Sequence, residues 1–199
     1  MNNYHDYVIK DGRFIGQFEE MYQECEDPWE ASKEDYDASA CSVTTKRFIH
    51  EHDPCRVVSF GSGKGQHLAW LDCDADGVEI SETAALEGQL DHPLQYTVID
   101  TILHFLQTDN QEYDVYLFRE VLWYLLPDLD TIWTILDTRH GAWVVVELSF
   151  YDDQKYGREY FDGPDDFLNQ FPFPIVKIVR EHTSLTQREG RVLVIGRVL

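Results

Sequence analysis

The sequence predicts an α/β fold with one seven-stranded sheet, made of five parallel strands followed by a C-terminal antiparallel hairpin, with helices on both faces. Three observations support this prediction. Short apolar segments alternate with helical ones from residue 56 onward, a pattern typical of a buried parallel sheet. A glycine-rich turn follows the first apolar segment. The last two apolar segments are joined by only "LTQREG", which is too short for a parallel crossover and therefore predicts a hairpin.

The individual elements follow from the same alternation. The segment "SVTTKRFIHEH" (residues 42–52) is predicted to be a helix that ends before Pro54. The predicted strands are residues 56–60, 76–81, 95–100, 113–120, 142–150, 175–184 and 191–199. The predicted helices between them are residues 65–72, 82–90, 129–139 and 162–171, with Ser81 as the N-cap of the second.

The length of 199 residues is enough for one α/β domain and too short for two full-sized ones. The first 55 residues are charged and aromatic, with helical rather than strand character. We expect residues 1–41 to form a helical cap over the carboxyl end of the sheet. Residues 42–199 are expected to form the sheet and its helices, which makes the chain one structural domain overall.

The composition excludes several classes of protein. A net charge of −21 argues against binding a nucleic-acid backbone, which requires clustered Lys and Arg. No apolar run is long enough for a membrane helix, and the polar N-terminus has no signal-peptide pattern, so we predict a cytoplasmic protein. The four cysteines have no CxxC spacing, which favours reduced thiols and no metal site. A host with high internal salt and an ordinary acidic protein both remain open as explanations of the charge.

The stretch "VVSFGSGKG" contains the pattern most informative about function. Gly61, Gly63 and Gly65 follow an apolar strand and precede a helix, and Glu79 ends the next strand. Glycine lets a ligand approach the main chain, the following helix offers free N–H groups, and an acid at this position can accept hydrogen bonds from both hydroxyls of a ribose. The sequence therefore predicts a nucleoside site at the carboxyl edge of the sheet.

Three ligands of this kind compete. A phosphate-binding P-loop requires GxxxxGK[ST], but Val58 occupies the first glycine position and Gly65 follows the lysine. A dinucleotide site usually has GxGxxG, whereas the third glycine here comes one position early. The chain also lacks a second domain for a hydride acceptor. The third candidate is S-adenosylmethionine (SAM).

The motifs together resemble those of class I SAM-dependent methyltransferases, from "SVTTKRFI" to the end of the chain. The first motif of that family is matched by "VVSFGSGKG", the ribose-binding acid by Glu79 in "GVEIS", the next turn by "VIDTI", and the fourth-strand motif by "YDVYLFREVLWYLL". The N-terminal "FEEMYQECEDPW" is similar to the start of small bacterial methyltransferases of the nodulation-methyltransferase type. This resemblance implies a Rossmann-like sheet.

The resemblance also implies roles for residues of the cofactor site. Gly61, Ser62 and Gly63 would approach the methionine part of SAM, Glu79 would hold the ribose, and Ile80 would flank the adenine. Asp100, with the backbone of Thr101 and Ile102, would bind the adenine amino group. The backbone of Arg119 would lie near the methionine amino group, and Trp29 of the cap would complete the site. Ser59 departs from the family, because many members have Glu or Asp there.

The acceptor side is less defined by the sequence. Glu120 and Glu147, at the ends of two strands, are the candidate catalytic carboxylates. Candidate acceptor-binding aromatics are Tyr22, Tyr124, Tyr151 and Tyr156. No histidine base is identifiable.

The leading hypothesis is a methyltransferase that transfers the methyl group of SAM to an O or N atom of a small molecule, with a sugar or nucleotide-sugar intermediate as the candidate acceptor, and releases S-adenosylhomocysteine (SAH). An NAD(P)-dependent oxidoreductase and a non-catalytic SAM-binding module are the alternatives. The sequence leaves the oligomeric state, monomer or homodimer, open.

Overall fold

The structure is a computed structural model that describes residues 6–31, 34–52, 56–92, 96–151, 154–182 and 190–199. Its N-terminal part begins with a small hairpin and continues into helices. The elements are β1 (Ile9–Lys10), β2 (Arg13–Phe14), α1 (Phe18–Glu24), a 3-10 helix (Tyr36–Ala38) and α2 (Ala40–His52).

The hairpin of β1 and β2 corrects the expectation that the first 55 residues have helical rather than strand character. Asp11 and Gly12 connect the two strands with φ values of +52° and +76°. Two successive left-handed residues form the turn whose twist suits a two-residue hairpin, and Asp-Gly is a favoured pair for it. The "IKDGRF" stretch therefore contained a hairpin signal that the sequence analysis missed.

Seven strands form the main sheet. They are β3 (Val57–Phe60), β4 (Ala75–Glu79), β5 (Tyr96–Ile99), β6 (Val115–Arg119), β7 (Trp143–Phe150), β8 (Ile175–Glu181) and β9 (Gly190–Arg197). Their order is β5-β4-β3-β6-β7-β9-β8. Strands β3 to β7 pair in parallel, and β9 pairs antiparallel with both β7 and β8. The predicted fold class is confirmed, and the last strand inserts into the sheet instead of extending its edge.

Helices cover both faces of this sheet. They are α3 (Gln66–Leu71), α4 (Glu82–Asp91), α5 (Ile102–Thr108), α6 (Leu129–Leu136) and α7 (Pro164–Gln170), with 3-10 helices at Leu122–Tyr124 and Leu126–Asp128. One core contains buried residues of α5, α6 and α7, such as Phe105, Ile132 and Phe167. The opposite core contains residues of α2 and α3, such as Phe48 and Leu68.

The helix α5 was not predicted, although its sequence contains two signals. The Thr101 hydroxyl accepts a hydrogen bond from the His104 amide (3.2 Å) and so caps the helix. Ile102, Phe105 and Leu106 are buried at helical spacing. The predicted N-cap Ser81 is confirmed, because its hydroxyl accepts from the Ala84 amide at 3.1 Å.

None of the helices in the described ranges combines the length and the apolar character that crossing a bilayer requires.

Candidate functional site

The glycine turn connects β3 to α3 and brings the main chain close to its neighbours. Gly61 has φ +64°, and a Cβ on it would lie 2.6 Å from Cγ2 of Val121. Gly63 has φ +54°, and a Cβ there would lie 2.9 Å from the Tyr22 hydroxyl. Both positions therefore need glycine for backbone conformation and for space. The Ser62 hydroxyl is buried against Gly77, with no hydrogen-bond partner among the described residues.

Glu79 joins this turn to the end of β4. Its Oε2 accepts a hydrogen bond from the Gly63 amide (2.8 Å) and its Oε1 accepts from the Ser81 amide (3.0 Å). The side chain is 5% exposed. Burial raises the pKa of Glu79, while the hydrogen bonds from Ser81, Gly63 and Ile80 amides act in the opposite direction. The carboxylate thus fixes the shape of the turn, and each oxygen keeps acceptor capacity for a further donor.

The neighbouring strand end carries the second predicted acid. The Asp100 amide donates to the Glu79 carbonyl (3.0 Å), which holds the ends of β4 and β5 together. The Asp100 carboxylate accepts from the Thr101 amide (2.7 Å) and contacts Nδ1 of His104 (2.7 Å). Ile80 is 50% exposed next to these acids. This edge presents polar groups beside an exposed apolar side chain, as a nucleobase site requires.

The N-terminal segment lies over the glycine turn. Tyr22 is buried at 6% exposure, and its hydroxyl accepts a hydrogen bond from the Trp29 indole N–H (2.8 Å). Burial, followed by the nearby Glu79, raises the pKa of Tyr22. Glu19 of α1 attaches the segment to α4 by accepting from the Ser81 hydroxyl (2.7 Å) and the Thr83 hydroxyl (2.6 Å). The predicted residues Tyr22 and Trp29 are therefore both placed at the turn.

The aromatic residues predicted for the acceptor side separate into two places. The Tyr124 ring lies 6.1 Å from Trp29 and 5.9 Å from Phe14, and the Tyr156 ring also stacks on Phe14 at 5.9 Å. The rings of Tyr124 and Tyr156 therefore pack against the N-terminal segment. Tyr151 is instead 40% exposed and lines a small cavity of about 20 Å³ with Phe150 and Arg158 among its neighbours.

A group of charged side chains, which we call the charged cluster, lies at the ends of β6, β7 and β9. Its members are Glu34, Arg119, Glu120, Glu147 and Arg191. Oε1 of Glu147 lies 3.3 Å from Nε of Arg119 and 3.3 Å from Nη1 of Arg191. Oε1 of Glu34 contacts Nη2 of Arg119 and lies 3.2 Å from Nη1 of Arg191. Glu120 lies 3.0 Å from Nε of Arg191.

Glu147 is the centre of the charged cluster and is fully buried. Burial raises its pKa, and the positive charges of Arg119 and Arg191 oppose that rise. Its Oε1 also accepts from the Ser42 hydroxyl (3.4 Å), while its Oε2 has no hydrogen-bond partner among the residues that the structure describes. A buried hydrogen-bond acceptor without a donor lowers the stability of the folded chain.

Glu120 adopts an unusual backbone conformation, with φ +55° directly after β6. Its amide donates to the Glu147 carbonyl (2.7 Å), and its carboxylate accepts from the amide (2.9 Å) and hydroxyl (2.6 Å) of Ser149. A non-glycine residue in the left-handed region costs about 1–3 kcal/mol and is common at functional sites. The side chain of Glu120 therefore points along β7 with its position fixed.

Two further buried residues adjoin these groups. His67, on the first turn of α3, has no hydrogen-bond partner for either ring nitrogen among the described residues. Burial, and then the charges of Arg119 and Arg191, lower its pKa. Ser59 is 4% exposed in β3, paired with Gly77 and Leu117 on the neighbouring strands.

The sequence analysis missed two members of the charged cluster. Glu34 lies in a charged segment with no motif. Arg191 is the second residue of the apolar strand β9, and its charge indicates a functional site only once both faces of that strand are known to be covered.

The arrangement of the strands identifies the fold class of the chain. The sheet order and the inserted antiparallel strand are those of the class I SAM-dependent methyltransferase fold. Among solved structures, the chain is similar to the N-methyltransferase NodS from Bradyrhizobium japonicum WM9 in complex with SAH, with 16% identity and a TM-score of 0.66 over 91% of this chain and 96% of that one.

Two other solved structures have the same fold. A TehB-like SAM-dependent methyltransferase from Corynebacterium glutamicum has 14% identity and a TM-score of 0.59, over 90% of this chain and 97% of that one. A SAM-dependent methyltransferase from Clostridium acetobutylicum has 11% identity and a TM-score of 0.62, over 90% and 98%. No protein-family model and no curated protein sequence matches the chain.

Proposed function

We propose that this protein transfers a methyl group from SAM to an O or N atom of a small molecule. The observation that supports this most directly is the hydrogen bond from the Gly63 amide to the Glu79 carboxylate, next to Asp100 at the same edge of the sheet. This arrangement provides a shaped turn, an acid for a ribose and an acid for a base on three adjacent strands.

The residues present fit the cofactor. Glu79 would accept from the ribose hydroxyls, Asp100 with the amides of Thr101 and Ile102 would bind the adenine, and Ile80 would lie against its ring. The methionine part of SAM would be surrounded by Gly61, Ser62, Gly63, Trp29 and the backbone of Arg119. When bound, SAM supplies an electrophilic methyl group on a sulfonium. Because Glu79 and Tyr22 are both nearly buried, we expect Tyr22 to move aside when the ribose binds.

The acceptor side of the proposal involves the aromatic and charged groups. Tyr22, Tyr124 and Tyr156 would contact the acceptor near the turn, and Tyr151 would do so at the outer end of β7. Of the two carboxylates proposed for catalysis, Glu120 is the accessible one, with 27% of its side chain exposed. We propose that Glu120 accepts the proton of the methyl acceptor and that Glu147 holds Arg119 and Arg191 in position.

We also propose that the acceptor is a sugar or nucleotide-sugar intermediate and that the protein is cytoplasmic. The free thiols of Cys41 and Cys73 are what a reducing compartment favours.

Calorimetry with SAM, SAH and NADH tests the cofactor. We expect SAM and SAH to bind and NADH not to bind. Binding of NADH without SAM would establish the oxidoreductase alternative.

Measuring SAH release with a panel of small-molecule acceptors then tests catalysis. Release above the acceptor-free rate supports the enzyme. Tight SAH binding without release by any acceptor would favour the non-catalytic module, for which Ser59 in place of an acid is the sequence argument.

A further inference from the structure

We infer that Arg119 and Arg191 form a binding site for the carboxylate of a small-molecule ligand, and that Glu34 occupies this site in the ligand-free chain. Both guanidinium groups contact the same oxygen of Glu34, Oε1, through Nη2 of Arg119 and Nη1 of Arg191. Planar guanidiniums are the side chains best suited to carboxylate recognition. The three residues therefore already show the geometry of a bound carboxylate.

The charges of the cluster indicate that Glu34 is the exchangeable member. With ionised carboxylates, Glu120 and Glu147 balance the two arginines, because each lies within 3.3 Å of a guanidinium nitrogen. Glu34 is then a third negative charge, which the pair of arginines does not require. Its departure leaves a neutral group of four side chains, and the carboxylate of a ligand restores the charge that Glu34 supplied.

The residues also differ in how firmly the fold holds them, and Glu34 is again the exception. Arg119, Glu147 and Arg191 lie on the adjacent strands β6, β7 and β9, with Arg119 paired to Glu147 and Arg191 to Ser149. Glu147 is fully buried and both arginine side chains are 14% exposed, whereas Glu34 is 26% exposed. Glu34 lies outside the sheet, just before the 3-10 helix at Tyr36–Ala38. The sheet thus holds the arginines, while Glu34 reaches them from the N-terminal segment.

The position of the site favours the methyl acceptor as the source of the carboxylate, a step that rests on the proposed function. Glu34 is held above β7, which is two strands from β3 and its glycine turn, or about 10 Å at the usual strand spacing. The Tyr36 ring lies between this site and the turn, 5.1 Å from the Arg119 guanidinium and 5.1 Å from His67. A distance of about 10 Å is one that a small molecule can span, so an acceptor whose carboxylate is bound here reaches the turn once the buried Tyr36 ring moves aside.

Chemical rescue tests the site without any cofactor. In Glu34→Ala, we expect acetate at about ten times its Kd to raise the Tm by about 3–6 °C relative to chloride at equal ionic strength. Acetamide, which has the same shape without the charge, should have no such effect. The control Glu51→Ala removes an exposed partner of Arg47, and acetate should not stabilise it more than the unchanged protein.

Each result decides the inference. Equal effects of acetate, acetamide and chloride on Glu34→Ala would overturn it. If Glu34→Ala does not fold, Glu34→Ser takes its place, since it leaves similar space. If either variant folds only when acetate is present, the result supports the site. If both variants fail to fold even with acetate, a ligand carboxylate does not replace Glu34 and the inference is overturned.

A second measurement identifies the source of the carboxylate. We compare the affinity of Glu34→Ala for SAH and for 5′-methylthioadenosine, which lacks the amino-acid part. Unchanged affinity for both, with acetate rescue, supports the acceptor. A gain of about tenfold for SAH alone would assign the site to the cofactor and overturn the acceptor assignment. Because acetate rescue does not involve methyl transfer, failure of the proposed function and failure of this site give different results.

Discussion

The two ends of the candidate site are built in opposite ways. At the end formed by β3, β4 and β5, the site residues Gly63, Glu79 and Asp100 all lie within residues 63–100 and form mainly hydrogen bonds that involve main-chain amides. At the charged cluster, Glu34 and Arg191 are 157 residues apart, and carboxylates contact guanidiniums. The first end is a local motif with an exposed edge, and the second is a buried network assembled from distant segments. The comparison predicts that changes at the first end cause the largest loss of cofactor affinity, and changes at the second end cause the largest loss of stability.

The largest effect is expected from Arg191→Met. This change leaves the buried Glu147 with one guanidinium in place of two, and breaking a buried pair costs about 3–5 kcal/mol. Urea unfolding measures the loss. The matched control is Arg180→Met on the preceding strand β8, whose pair with Asp165 is exposed, so that variant should lose at most about 1 kcal/mol. Equal losses would contradict the structural role of the cluster.

The next effect concerns affinity. Glu79→Ala removes the acceptor proposed for the ribose and should weaken SAH binding by about 1.5–3 kcal/mol, or roughly 10- to 150-fold. Calorimetry measures the affinity, and circular dichroism checks that the variant is folded. Unchanged affinity rules out the ribose role. A loss of stability larger than that of Arg191→Met would reverse the comparison between the two ends.

A smaller effect is expected at the turn itself. Gly63→Ala forces a side chain into φ +54°, which costs about 1–2 kcal/mol, and adds a contact with the Tyr22 hydroxyl. Gly141→Ala is the control, because Gly141 has φ +84° and its Cβ would meet only Nη2 of Arg197 at 3.7 Å. Thermal unfolding should show a larger loss for Gly63→Ala. If Tyr22→Phe does not reduce that difference, the contact with the hydroxyl is not its cause.

The smallest effect concerns the attachment of α1 to α4. Hydrogen bonds from Thr83 and Ser81 lower the pKa of Glu19 to about 2 from an ordinary value of 4.5. A lowered pKa means that the stabilisation is complete above about pH 4.5 and is lost as the pH falls toward 2. Solvent screens this partly exposed carboxylate, so we expect only about 0.5–1 kcal/mol. The stability difference between the unchanged protein and Glu19→Gln, followed from pH 6 to 2, should shrink accordingly; a constant difference would contradict the assignment.

Sequence reasoning succeeded where one segment contains the whole signal. Ser81 caps α4 as predicted, because a cap depends on residues three positions apart. The strand-turn-helix pattern around Gly61 and Gly63 located the turn for the same reason. The hairpin at residues 9–14 and the helix α5 also have local sequence signals, Asp-Gly for the hairpin and a Thr N-cap for the helix, which the sequence analysis missed.

The charged cluster was not predictable in this way. Glu120 and Glu147 were recognised because the sequence analysis placed both at the ends of apolar strands, although Glu147 lies within β7 in the structure. Their partners were not recognised. Arg191 becomes largely buried, with 14% of its side chain exposed, because β9 inserts between β7 and β8. Nothing in "REGRVLVIG" specifies that insertion.

The sequence by itself therefore determined the α/β fold class, the strand ends and the glycine turn, because hydrophobic alternation and turn chemistry act over a few residues. Only the tertiary structure decided that Tyr22 covers the turn and that Glu34 lies between two arginines. Those contacts join segments far apart in the chain, and burial makes them specific: away from water a charge must find a partner, whichever segment supplies it.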